Sequence, residues 1–578
     1  MSTLLVAAID FGTTYSGWAF SLKLDFERDP TKITAKNWHG DHLISSKAPS
    51  CVLVKPDGKT FDSFGYTAEN KYAELVADEK HEKWFFFRRF KMMLFNKIRI
   101  SRDVSLEDAC GKQLPAKRVF SMVIKFLKED LLEECKRQLA NAITDNDIRW
   151  VLTVPAIWND AAKQFMREAA VKSGIDNEKL LIALEPEAAS IFCRHLPVEK
   201  SEDTQTSLAS MKAGTKYMVL DAGGGTVDIT VHQVIIDNKL REVHRASGGD
   251  WGGTRVDQAY ENFLSSIVGS DVMKSFEHEH MEDYIDIFRV FEVKKRDIPM
   301  NDSTKVTIRI PPTLNDLLKS KTGKTIAEML QQKFGEDIKY IGGKMRVDSK
   351  MLQNLFDETV KSIVQHTKEL LKDESCHGCS AVLMVGGFSE CCILQAAVRK
   401  AFPKMKVIIP DSPGLVVLKG AVIFGHLPTS IEERICRYTY GLHVSHPTSK
   451  TKCKHPPTQT KVSKNGKERC QNIFSIHVRS GQAVKLGEEQ EAEIRKPVYD
   501  DQKLISFAAC ASESKDPIFA TEKGCFRLGK LLIPIEDTSL GTKRKYRISF
   551  IFGGTEIVVK VVDTTTGKVS LLSLDCLE

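Results

Sequence analysis

Residues 221–230 read D-A-G-G-G-T-V-D-I-T and follow the apolar run Y-M-V-L at 217–220. The run predicts a buried strand that stops at an acid, after which Gly223, Gly224 and Gly225 turn the chain back. Glycine takes positive φ freely and has no Cβ, so such a loop lets backbone N–H groups approach an anion closely. Thr226 adds a hydroxyl. Asp221 and Asp228 bracket the turn with charge that would repel a bare phosphate. Their presence makes sense with a divalent cation between carboxylate and phosphate, because Mg²⁺ takes a few carboxylates, waters and substrate oxygens. The same letters also fit an ordinary tight hairpin between Val/Ile-rich strands.

Residues 6–14, V-A-A-I-D-F-G-T-T, repeat the design: an apolar strand, Asp10, Gly12, then Thr13 and Thr14. Two such turns, far apart in the chain, suggest two related lobes that clamp one metal-bound triphosphate from both sides. Neither turn matches G-x-x-x-x-G-K-[ST] or a helix-opening G-x-G-x-x-G. Residues 381–389, A-V-L-M-V-G-G-F-S, place a third buried strand ahead of a Gly-Gly turn, with a helix expected from near Leu394.

On these segments the chain resembles the superfamily of actin, the sugar kinases and the seventy-kilodalton heat-shock chaperones, and within it the chaperone family, over essentially its whole length. The resemblance implies an α/β two-lobed actin-like ATPase fold with duplicated lobes, binding ATP or ADP with Mg²⁺. It implies that Gly12, Thr13, Thr14 and Tyr15, together with Gly223, Gly224, Gly225 and Thr226, hold the phosphates. It also implies that V-G-G-x-S, carrying Gly386, Gly387 and Ser389, packs against the adenosine.

Length and composition agree with that class. A chain of 578 residues suggests two or three domains. Its 42% hydrophobic and 28% charged residues are those of a water-soluble globular protein. The net charge of +7 is too slight to imply nucleic acid. No apolar stretch reaches the length of a membrane span, and the N-terminal run at 4–9 lacks the basic flank of a secretion signal. The 14 cysteines then read as reduced thiols, which points to the cytoplasm or, alternatively, the nucleus.

Residues 80–96 mix aromatics and bases, but nucleic-acid stacking grooves are more dispersed and less hydrophobic. The chaperone family carries here a lysine that reaches the γ-phosphate. Its nearest match is Arg88 or Arg89, which implies a catalytic cation that is altered or displaced; an arginine would bring a planar fork in place of an ammonium. Periodicity predicts a helix over 114–139 and another over 159–173. Residues 149–155, R-W-V-L-T-V-P, read as a strand, and residues 180–190 as strand, turn and helix. By resemblance Glu185 holds Mg²⁺ through water with Asp10 and Asp221; a helix-start carboxylate favoured by the macrodipole explains it equally. Residues 246–253 resemble the family's G-G-x-D segment and carry Gly248 and Gly249. Glu292, Lys295 and Arg296, in F-E-V-K-K-R, match the family's adenosine-embracing helix, although such a charge run is ordinarily a solvated face. Pro299 stands where the family has a base-contacting serine. Residues 308–344 read as an insertion, 345–372 as a strand and a Ser349-capped helix, and 413–425 as a closing helix whose Gly420 permits a close crossing.

Past Pro428 the texture becomes β-branched strands with turn signals, over 474–478, 504–508, 545–552, 555–563 and 568–574. This part resembles the chaperone's β-sandwich partner-binding domain, without its leucine-rich linker, helical lid or acidic tail; these departures resemble the divergent heat shock 70 kDa protein 12 branch. The expected division is residues 1–428 as nucleotide-binding domain, 429–437 as linker and 438–578 as a β-sandwich lacking a lid. Within the first, one lobe takes about 1–212 plus 395–428 and the other about 213–394. A lysine-rich loop at 450–469 suggests a polypeptide or anionic partner. The cysteines and histidines near it lack the paired spacing of a zinc site, and Cys376 and Cys379 read as a turn.

The leading expectation is slow Mg²⁺-dependent ATP hydrolysis coupled to the β domain. Asp10, Asp221 and Asp228 are the candidates to orient the attacking water. A non-hydrolysing nucleotide sensor and a sugar or polyol kinase are the alternatives.

Overall fold

Two sheets, each built around a strand that ends at an aspartate, face one another in the computed structural model. It describes residues 3–577 except 41–43, 97–99, 140–142, 197–207, 301–303, 449–455, 463–465, 467, 536 and 554–555. The first sheet runs Leu180–Leu184, Ile148–Val154, Leu5–Asp10, Tyr15–Leu22, Thr34–Ala35, with Ala48–Pro49 beside Tyr15–Leu22. The second runs Lys406–Ile408, Cys379–Val385, Lys216–Ala222, Val227–Val234, Leu240–Gly249, Ile431–Ile435, Ala483–Lys485. In both, the central strand has a parallel neighbour on one side and turns into an antiparallel hairpin on the other. The uninterrupted apolar runs of these central strands follow from burial on both faces.

Helices Glu185–His195 and Pro413–His426 fill the layer between the sheets. Val6, Ala8 and Val151 of the first sheet and Tyr217, Val219 and Leu383 of the second share one core with these helices. A Cβ at Gly420 would overlap the Ala188 carbonyl, so only glycine lets the two backbones cross here. Helix Asp160–Lys172 starts where the sequence predicts, because the Asn159 side chain accepts the Ala162 amide at 2.8 Å. Helix Ala116–Leu139 buries Val119, Val123, Leu127 and Leu131 as its periodicity requires.

Three segments differ from expectation. Residues 180–190 contain no turn, since helix Glu185–His195 follows the strand directly, with Pro186 in its first turn. In the helix after residue 345 the N-cap position is Asp348, not Ser349, with no side-chain capping bond, and a 3₁₀ turn at Asn354–Phe356 interrupts the helix. Residues 431–435, read as linker, form a strand between Leu240–Gly249 and Ala483–Lys485. Arg434 of this strand grips the buried Glu187 carboxylate with two 2.7 Å bonds. The Ile435 amide donates to Glu242 at 2.8 Å.

The C-terminal region forms two further sheets. One orders Thr460–Val462, Glu468–Val478, Thr439–Pro447, Leu504–Ser512 and Cys525–Pro534; the other orders Glu493–Arg495, Tyr546–Gly553, Glu556–Asp563 and Val569–Ser573. Leu442, Ile505, Ala511, Ile548, Phe550 and Val559 place one core between them. The Tyr440 hydroxyl donates to Asp160 at 2.6 Å, and Arg167 pairs with Glu556 at 3.0 Å, so this region rests on helix Asp160–Lys172. Lys450, Lys452, Lys454, Lys464 and Lys467 of the basic loop, with Cys453 and His455, lie outside the described residues. Among the described residues no group of side chains could hold a metal through three His, Cys, Asp or Glu ligands.

Candidate phosphate-binding site

The two hairpins close on one cavity of about 130 Å³. Asp10, Gly12, Thr13, Thr14 and Tyr15 line it from one side and Asp221, Gly223, Gly224, Gly225 and Thr226 from the other. Their fit explains the glycines. A Cβ at Gly224 would overlap the Thr14 side chain, and one at Gly225 would meet Thr13 and Met92. Gly386, at φ 84°, passes so close to the Ala222 carbonyl and the Asp221 carboxylate that no side chain fits. Gly387 and Glu185 complete the wall.

Charge is arranged unequally around this cavity. Asp10 accepts the Thr153 hydroxyl at 2.7 Å and the Lys47 ammonium at 2.5 Å. Burial would raise its carboxyl, but Lys47 and Lys91 outweigh burial and hold it below the ordinary value. Glu185 takes Lys91 at 2.8 Å, yet burial, reinforced by Asp10, keeps it raised. Asp221 has no cation at bonding distance among the described residues; burial and then Glu185, Asp228 and Asp10 push it well up. Asp228 stands directly opposite Asp221 across the hairpin and is pushed to about 7 by burial and Glu185.

Several expected residues sit elsewhere. Arg88 is not the cation of this site: it lines a different cavity, between helices Tyr66–Ala77 and Met281–Arg296. Arg89 takes a left-handed conformation, φ 51°, and its guanidinium pairs outward with Asp257 at 2.7 Å. That turn ends strand Phe85–Arg88 and starts the single 3₁₀ turn Phe90–Met92, which delivers Lys91 inward, 3% exposed. A lysine therefore does enter the cavity, three residues beyond Arg88 and two beyond Arg89. Asp228 lies behind the loop, its Oδ2 accepting the Ile157 amide at 3.3 Å. Gly248 and Gly249 also lie behind it; the neighbouring Gly252, Gly253 and Thr254 amides donate to the carbonyls of Gly225, Gly223 and Gly224. Ser389 is fully buried, and its hydroxyl donates to the Val385 carbonyl at 2.6 Å. Lys295 is buried against Asp257 at 2.8 Å, and Glu292 faces the Arg88 cavity. Arg296 does reach the site, where it pairs with Glu390 at 2.8 Å.

Lys47, Ser45, Ser46, Glu390 and Gly414 line the cavity without having been singled out. Lys91 had a signal, a lysine set among Phe90, Met92 and Met93. Lys47 had none, since S-S-K-A-P-S resembles any polar turn.

The model of the "Hsp70 protein" family matches residues 87–433. The chain is 34% identical to "Heat shock 70 kDa protein 12B" of Homo sapiens, over 99% of this chain and 91% of that one. It is 33% identical to "Heat shock 70 kDa protein 12A" of Mus musculus over 99% and 92%, and 32% identical to the Homo sapiens 12A protein over 100% and 92%.

Proposed function

Because the chain belongs to the Hsp70 family, we propose that it binds ATP and ADP with Mg²⁺, hydrolyses ATP slowly, and couples nucleotide state to a C-terminal partner-binding β-sandwich. The observation that carries this reading is the closure of the Thr13–Thr14 and Gly224–Gly225 turns on one cavity lined by four carboxylates, Asp10, Glu185, Asp221 and Glu390, and by two lysines.

The donor set fits the metal. Glu185 and Asp221 are both raised by burial and by neighbouring acids, a strain that a divalent cation relieves. Asp10, Glu185 and Asp221 would hold Mg²⁺ through water rather than as direct ligands, and the ion when bound neutralises phosphate charge. Thr13, Thr14, Thr226 and the glycine amides bind and orient the phosphates, and Lys91 brings an ammonium to them. Asp228, pushed to about 7 behind the loop, does not line the cavity, so the task of orienting the attacking water falls to Asp10 or Asp221.

Slow turnover no longer rests on a missing lysine. It rests on Lys47, which engages Asp10 and competes with the metal for that carboxylate. The same pair favours the second reading, a nucleotide sensor that does not hydrolyse. The two-sheet arrangement supports the duplicated actin-like lobes, with residues 1–428 as the nucleotide-binding part. The two sheets of residues 438–578, packed over one core, support the reading of a β-sandwich. A polypeptide or anionic partner at this region and a cytoplasmic location belong to the same proposal. No helix among the described residues is long and apolar enough to cross a membrane.

Calorimetric titration of ATP and ADP with and without Mg²⁺, followed by single-turnover hydrolysis, tests the reading. Saturable Mg²⁺-assisted binding with slow product formation supports it, and binding with no turnover selects the sensor. Turnover that appears only with an added sugar selects a kinase, and absence of binding removes the proposal.

A further inference from the structure

The corrected position of Arg88 draws attention to the cavity it lines. This space, about 330 Å³, shares Thr14 and Tyr15 with the phosphate cavity and is within the size range of small-molecule sites. Its walls come from both sides of the cleft: Tyr66 and Arg88 from one, helix Met281–Arg296 and Arg309 from the other. Pro49, Val290, Val293, Pro311 and Pro312 give it apolar surface.

Its four carboxylates and four arginines balance in number but not in engagement. Four carboxylates face it, and each already has a donor. Glu69 takes Arg289 at 2.7 Å, Asp286 takes Arg289 at 3.3 Å, Asp283 accepts the Thr313 hydroxyl at 2.5 Å, and Glu292 takes Arg296 at 2.9 Å. Of the four arginines, Arg289 is committed to Glu69 and Arg89 to Asp257. The guanidinium groups of Arg88 and Arg309 make no hydrogen bond or ion pair among the described residues; Glu277 feels the charge of Arg88 without pairing to it. Arginine is the residue best suited to planar oxyanions, through its fixed fork of donors. Two uncommitted guanidinium groups beside an apolar wall therefore select a ligand of defined chemistry.

We propose that this cavity is a second ligand site, which binds an organic anion, a carboxylate or phosphate ester with an apolar body, through Arg88 and Arg309. The apolar body lies against Val290, Val293 and the Pro311–Pro312 wall. Because the walls belong to both sides of the cleft, the bound anion bridges them beside the phosphates. The site stands whether or not ATP is hydrolysed next to it.

The test uses the full chain and anilinonaphthalene sulfonate, an aromatic anion whose fluorescence rises in apolar surroundings. Expected is saturable binding at one site per chain, weakened roughly tenfold by Arg88→Met and by Arg309→Met, each loss being that of a charge-assisted bond. Uncharged phenylnaphthylamine, with the same rings, should bind the unaltered protein at least roughly tenfold more weakly, for the same lost contact. This comparison needs no substitution, so it holds even where a variant folds poorly; circular dichroism checks the variants. Absence of a saturable site overturns the proposal. So does equal binding of the charged and uncharged probes, or an affinity indifferent to both arginines in folded variants.

Discussion

Asp10 and Asp221 occupy the same place in two hairpins and have opposite electrostatic lives. Each lies at the glycine end of a buried strand, Asp10 as its last residue and Asp221 one before the last, and each faces the same cavity. Asp10 is given a hydroxyl and an ammonium and is held ionised; Asp221 is given three acids and is pushed toward protonation. Backbone geometry alone therefore does not set the chemistry of such a turn. The residues arriving from elsewhere, Lys47, Lys91 and Thr153 on one side and Glu185 and Asp228 on the other, decide it. One hairpin is complete by itself, and the other has room for a cation.

The largest test removes both at once. Gly224→Val drives a branched side chain into Thr14 and should lower ATP affinity by more than about a hundredfold, while circular dichroism stays native; retained affinity would break the shared-cavity picture. Next come the two acids separately. Asp10→Asn leaves Lys47 half-stranded in a buried setting and should cost about 3 kcal/mol of stability in denaturant titration without nucleotide. Asp221→Asn removes mutual repulsion and should gain about 1 kcal/mol in the same assay, the energy of less than one unit of relieved shift, while weakening Mg²⁺-nucleotide binding. Equal signs for the two substitutions would erase the contrast.

Titration sharpens it further. Asp228, raised to about 7 by burial and Glu185, binds its proton more tightly folded than unfolded. Its contribution is fully present below the ordinary carboxylate pKa of 3.8 and is lost as pH rises toward 7. Raised Glu185 and Asp221 act in the same sense, and lowered Asp10 acts only at acid pH. Between about pH 4 and 7 the nucleotide-free protein should lose up to roughly 1.4 kcal/mol per pH unit relative to Asp228→Asn. A flat difference across that window would show that Asp228 is not so raised. The smallest effect belongs to Lys47→Thr, which frees Asp10. It should speed Mg²⁺-dependent hydrolysis several-fold, about 1 kcal/mol of barrier, and weaken nucleotide binding in chelator. An unchanged rate would remove Lys47 as the brake.

What could be read from the chain divides along the same line. The strands ending at Asp10, Asp221 and Val385 are local patterns, apolar runs stopped by glycine turns, and the cavity walls they build were visible as motifs. Lys47 was not, and Lys91 showed only as a base set among Phe90, Met92 and Met93. Whether Arg88 or Lys91 points inward is decided by the positive φ of Arg89, a conformation rare outside glycine that no periodicity reports. Residues 431–435 looked like a tether because Glu and Arg usually seek water; Arg434 instead finds Glu187 across the core boundary. Both failures concern partners far apart in sequence, which local patterns cannot see.

That strand has a mechanical consequence. Ile431–Ile435 is hydrogen-bonded on both edges, to Leu240–Gly249 and to Ala483–Lys485, so the last strand of the nucleotide-side sheet is supplied by the C-terminal region. Severing the chain ahead of residue 431 or after 437 would strip a strand from one piece and bare rows of unsatisfied amides and carbonyls, the surfaces on which chains stick to one another. The two pieces should then behave as complementing fragments that recover solubility when mixed, and the intact chain should melt as one cooperative unit, with no independent step for its C-terminal sheets.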